Sequence, residues 1–183
     1  MEELTKSIFE KISSYNIFNY LFPGIIFCYT VKQITRFNFI VGDVWQNLFV
    51  CYFIGMLLSR IGSLVCEKIL KSITFKKEKF LKYENYDDYL DAKKEDSEIH
   101  ILVEENNTYR TLIAAAVITT IVKVYDWLLY DLVMEHFPNC NNLIIVLLGV
   151  IITIVFVFSF KKQTDYIAKR IRKHGVDREK MNG

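Results

Sequence analysis

Eighteen consecutive residues, Leu143 to Phe160, carry no charge. A helix needs roughly 20 residues to cross the hydrocarbon core of a bilayer at about 1.5 Å of rise each, and this stretch approaches that length. No other feature constrains the chain as strongly. A protein of 183 residues offers little else in which so long an apolar run could be sheltered. Three further apolar stretches precede it: Ile17 to Val31, interrupted by Pro23-Gly24; Trp45 to Val65, with Arg60 as its one charge; and Thr111 to Tyr130, containing Lys123 and Asp126. The first reaches a spanning length only by including Tyr15, Asn16 and Lys32. Composition matters here for its segregation: 52% hydrophobic and 24% charged residues would suit a soluble protein if evenly mixed, but the charges lie between the apolar runs.

The predicted architecture is an all-α polytopic membrane protein with four transmembrane helices and helical cytoplasmic extensions. Residues 1–66 hold an N-terminal interfacial helix and transmembrane helices 1 and 2, residues 67–110 a cytoplasmic helical arm, residues 111–160 transmembrane helices 3 and 4, and residues 161–183 a basic tail. Acidic Glu2, Glu3 and Glu10 before the first apolar run do not fit a cleavable secretory signal, so that run is expected to remain.

Lysines and arginines orient the spans. Two precede the first span, two lie in the first loop, nine between Cys66 and Arg110, none between Asp131 and Asn142, and eight follow Phe160. The two rich segments share a side, which by the positive-inside rule is the cytoplasm, and both termini fall there. The expected location is the bacterial inner membrane. Aromatic side chains agree, with Trp45, Tyr125, Trp127 and Tyr130 at one interface and Tyr15, Phe18, Phe158 and Phe160 at the other.

The arm divides by charge. Lys68, Lys71, Lys76, Lys77, Lys79 and Lys82 make its first part basic, and Glu84 to Glu105 holds nine carboxylates. Neither proline nor glycine interrupts Lys68 to Arg110, which predicts helix. Leu4, Ile8 and Ile12 recur at helical spacing and predict a short surface helix. The tail is expected to prolong the fourth helix until Gly175 ends it. Its cations Lys161, Lys162, Lys169, Arg170, Arg172 and Lys173 suit the anionic inner leaflet, or another polyanion.

Ionisable residues inside a span are costly, and each needs a reason. Arg60 is placed to snorkel to phosphates, to pair with a buried carboxylate, or to line a pore. Lys123 and Asp126 share a helix face at i and i+3, with Thr119 extending the stripe. They read either as an outward-snorkelling pair or as a face lining water in an oligomer. Gly55, Ser59, Gly62 and Ser63 form a small-residue seam for close helix packing, within or between subunits. Pro23 and Gly24 predict a kink or a short re-entrant segment, a candidate hinge. Catalytic chemistry finds no support. There is no glycine-rich phosphate loop, GxSxG or HExxH, the histidines His100, His136 and His174 are scattered, and the four cysteines have no CxxC spacing. No enzyme activity, cofactor or metal is predicted.

The opening SSYNIFNYLFPGIIF and the later NNTYRTLIAA resemble stretches in small bacterial membrane proteins. Among these are effectors of antiphage defence, such as the channel-forming subunit of Hailong-type systems. The resemblance covers these two stretches and the four-span layout. It implies a membrane effector controlled by a nucleotide or oligonucleotide at the cytoplasmic side, whose ion flow depolarises the cell. The expected function is thus a gated homo-oligomeric pore or ion channel in contact with the lipid bilayer. The alternative is a non-conducting scaffold whose cytoplasmic arm recruits a soluble partner.

Overall fold

A computed structural model describes the backbone of residues 16–75, 78–137 and 141–182. The expected surface helix at Leu4, Ile8 and Ile12, with Lys76, Lys77 and Cys140, lies outside the described residues. The chain is mostly helical, at 85%.

Helix α1 (Phe22–Ile34) follows a π-helical turn, Ile17–Leu21. Helix α2 (Val44–Ile61) runs through a second π turn, Gly62–Cys66, into α3 (Glu67–Ser72). A minimal antiparallel hairpin pairs β1 (Thr74–Phe75) with β2 (Glu78–Lys79). Helix α4 (Tyr86–Glu95) leads to α5 (Glu98–Val124), which continues through a third π turn, Tyr125–Leu129, into α6 (Tyr130–His136). Helix α7 (Asn141–Asn182) completes the chain.

Three continuous helices are long and apolar enough to cross a membrane: Val44–Ser72, Glu98–His136 and Leu143–Lys173. The shorter first helix is not one of them. Apolar side chains cover the outside of these helices: Phe49, Ile121, Trp127, Val146 and Phe160 are each at least 60% exposed. Water does not tolerate so continuous an apolar surface, and helices satisfy their own backbone bonds in lipid. The chain is a membrane-associated protein with transmembrane helices.

Local sequence explains the boundaries. Asp43 caps α2, its carboxylate accepting from the Gln46 amide at 2.9 Å. The expected unbroken helix from Lys68 to Arg110 gives way at Ser72. There the hydroxyl returns to the Ile69 carbonyl, and the β-branched and aromatic Ile73-Thr74-Phe75 enters the hairpin. Gly175 does not end α7, which continues to Asn182. A glycine weakens a helix by only about 1 kcal/mol relative to alanine, and without a left-handed cap it does not stop one.

Helix α1 packs against both α2 and α5. Phe27, Cys28, Val31, Cys51, Leu58 and Ala115 form the common core. By contrast, α7 leans mainly on α2 in its apolar half, with Phe53 and Phe156 rings 6.2 Å apart. Only 6% of its apolar window is buried.

Candidate functional site

Three polar constellations hold the bundle. The innermost is built by small residues that let backbones touch. A methyl placed on Gly55 would overlap the Tyr20 carbonyl, and one on Gly24 would overlap the Cys51 carbonyl. Gly62 meets the Arg110 carbonyl in the same way, its added methyl falling 2.9 Å from that oxygen. The predicted small-residue seam therefore packs within the chain. Pro23 and Gly24 sit buried at the start of α1, directly after a π turn that absorbs the proline's missing donor. The helix continues through them, and Gly24 serves as a contact point.

Close approach brings buried polar groups together. Asn19 donates through Nδ2 to Ser59 Oγ at 3.3 Å. The Thr111 hydroxyl lies 3.0 Å from Asn19 Oδ1 and 2.8 Å from the Asn107 carbonyl. Asn19 and Thr111 are fully buried. Arg60 donates to the Tyr20 hydroxyl at 3.2 Å, so its head is engaged inside the chain.

The second constellation centres on Glu67, which is 8% exposed. Three cations from three segments converge on its carboxylate: Lys71 at 2.6 Å, Arg110 at 3.1 Å and Lys162 at 3.3 Å. Lys162 also donates to Ser63 Oγ at 2.6 Å and to the Ser63 carbonyl at 3.0 Å. One carboxylate thereby ties α3, α5 and α7 together, with two positive charges in excess. A buried charge cluster of this kind is costly to open, because removing one partner strands the others.

The third lies at the opposite end of the bundle. Arg36, in the α1–α2 loop, donates through Nε to Asp126 at 2.6 Å and through Nη1 to Asp131 at 2.7 Å. Its guanidinium lies 4.0 Å from the Tyr130 ring centroid. The hydrogen bond to Asp131, and after it the one to Asp126, holds the Arg36 pKa above its ordinary value. Lys123 donates to the Ile34 carbonyl at 2.6 Å, satisfying the C-terminal end of α1, and reaches Asp126 at 3.7 Å. The predicted Lys123–Asp126 pairing is present, but it is part of an inter-helix latch. Thr119 is half-buried on the same helix.

The predicted tail cations separate. Lys162 enters the Glu67 cluster. Lys161 pairs at 3.5 Å with Asp165, and Lys169 and Arg172 are exposed. Arg170 and Lys173 line a groove with Leu90, Lys93 and Lys94 of α4. Asn19, Arg36, Glu67, Arg110 and the α4 lysines were not singled out from the sequence. The signal available was weak: Asn19, Glu67 and Arg110 lie near the ends of apolar runs and the others in polar or loop segments, where exposure is the ordinary expectation. Among the described residues, no group of three or more His, Cys, Asp or Glu side chains could hold a metal ion.

No family model, no curated protein and no solved structure matches this chain.

Proposed function

We propose that the chain crosses the bacterial inner membrane four times with both ends cytoplasmic, and that several copies assemble into a gated pore. The distribution of lysine and arginine supports the topology. So does the packing of α1 and the π turn before it against α2 and α5, which gives the polar Asn19 of that turn protein partners. The observation that carries the assembly reading is the exposure of α7. Its apolar window is 6% buried, while its polar end is tied to Glu67. A helix so placed has a broad face for lipid or for neighbouring copies, and an end from which it can be moved. Within one subunit, Arg60, Lys123 and Asp126 are each engaged by other groups of the same chain. Conduction therefore requires a cavity between subunits. The Glu67 cluster is the coupling point, since it joins the arm's first helix to two long helices.

The test is ion flow. Purified full-length protein in planar bilayers should pass current in steps, and Glu67→Gln should shift the fraction of time open by several-fold. Absence of current at protein densities where cross-linking shows oligomers would overturn the pore. It would favour the second reading, a scaffold displaying the arm to a soluble partner. The internal pairing of the intramembrane charges supports that alternative.

A further inference from the structure

The outward side of the helix Val44–Ser72 stays apolar into its last turns. Val65 and Ile69, four residues apart on one face, are exposed, while Ser63, Cys66 and Glu67 turn inward. The hairpin then continues the stripe. Its strands pair Thr74 with Lys79, and the Phe80 amide donates to the Ile73 carbonyl at 3.0 Å. Cross-strand partners share a face, and neighbours along a strand alternate. Ile73 and Phe80 therefore lie on one face of the ribbon, with Thr74 and Lys79 on the other. Phe80 is 59% exposed, and Ile73 is exposed beside it. The end of the ribbon is held to α3, where Lys71 Nζ stands 3.8 Å from the Tyr83 ring centroid. Residues 68–82 contain six lysines and a single carboxylate, Glu78, which pairs with Lys82 at 2.7 Å. Lys68, Lys79 and Lys82 are exposed.

We propose that this hairpin seats on the anionic lipid surface of the membrane that α2 crosses. Ile73 and Phe80 enter the headgroup layer, and the surrounding lysines lie beside lipid phosphates. Apolar burial and attraction to anionic lipid add in a segment that carries both. Position favours lipid over a soluble acidic partner. Ile73 follows Ile69 by four residues, about 6 Å of helical rise, and the headgroup layer is about 5–8 Å deep. A soluble partner would have to displace lipid to reach this face. The step rests on the topology proposed above, with α2 across the bilayer, and not on conduction.

The experiment places the full chain in nanodiscs and follows one tryptophan. Trp45→Phe and Trp127→Phe remove the native emission. In phosphatidylglycerol discs, Phe80→Trp should be quenched by lipids brominated near the headgroup and shielded from aqueous acrylamide. Thr74→Trp, on the other face, should show the reverse preference. Adding Lys68→Gln/Lys79→Gln to Phe80→Trp should lower the ratio of lipid-quenched to acrylamide-quenched emission about fivefold per lysine. Phosphatidylcholine discs should lower it as well. Circular dichroism checks that each variant is folded. Acrylamide quenching of Phe80→Trp as strong as that of Thr74→Trp overturns the proposal. So does shielding without lipid quenching, since a second copy then covers the ribbon. Lipid quenching that is equal in neutral and anionic discs also overturns it, because charge then plays no part. Phe49→Trp, inside the apolar run of α2, reads the premise separately. Without lipid quenching there, the span itself is wrong and the seat falls with it; with it, any failure belongs to the hairpin alone.

Discussion

Replacing Gly55 by alanine tests the bundle's closest contact. The new methyl would overlap the Tyr20 carbonyl oxygen and sit 2.6 Å from its carbonyl carbon. Both are backbone atoms and cannot swing aside, so α2 must part from the turn before α1 by roughly 1 Å. Overpacking of this kind costs about 1–3 kcal/mol. The Asn19–Ser59 bond, already 3.3 Å long, breaks with the same movement, for about 0.5–1.5 kcal/mol more. Against this, alanine improves helix propensity by up to about 1 kcal/mol. The net expectation is a loss of about 0.5–4.5 kcal/mol. Gly149→Ala supplies the control, since nothing lies within 4 Å of its added methyl. That substitution should be neutral or slightly stabilising. Equilibrium unfolding of the purified protein in mixed detergent micelles, followed by tryptophan fluorescence and circular dichroism, reads both. If Gly55→Ala unfolds at the same denaturant fraction as Gly149→Ala, the backbone contact does not exist as described.

Two further substitutions probe the ends of the bundle. Arg36→Ala removes the main partner of Asp126, whose side chain is 9% exposed. Because the Arg36 side chain is itself 41% exposed, solvent screening makes the loss smaller than that of a fully buried pair, and it should appear as a lower unfolding midpoint; unchanged unfolding would show that Lys123 alone suffices. At the other end, the hydrogen bond from Lys173, and after it the one from Lys94, holds the Asp91 carboxyl below its ordinary value. Its stabilising contribution is therefore present above the ordinary aspartate pKa of about 3.9 and lost as pH falls through the depressed value. Hydrogen exchange of α4 amides should accelerate below that range, and Asp91→Asn should reproduce the acceleration at neutral pH. An α4 that exchanges identically in the variant would show that the Asp91–Lys173 contact does not hold the arm.

Much of the helical layout was legible because apolar runs of bilayer length admit few alternatives. The runs beginning at Trp45, Thr111 and Leu143 correspond to the three long helices, although each helix extends well past its apolar run. Polar helical ends such as Glu98–Arg110 obey no hydropathy rule. The small-residue seam was visible through spacing, since residues three and four apart share a helix face. Its partner was not. The Glu67 cluster joins residues 43 and 95 positions away, and such pairings are set by tertiary packing, which one sequence does not encode locally. Arg36 was hidden for a similar reason. A loop arginine ordinarily points to water, and only the approach of α5 and α6 turns it into the hub of a latch. Gly24 stood out as a candidate hinge, but regular helix runs through it, and its contact with the Cys51 carbonyl required a second helix to be in place.

The three π turns are points where chain length has slack. Each contains one residue more than a regular helix of the same span would use. Deleting a single residue there would restore regular helix and leave everything downstream close to its present phase. A deletion in regular helix has no such slack and turns everything downstream by roughly 100°. Losing one residue from α2 would thus swing Glu67 away from Arg110 and Lys162, whereas losing one from Gly62–Cys66 would leave it near them. The same contrast separates α5 from Tyr125–Leu129 for the reach of Asp131 to Arg36.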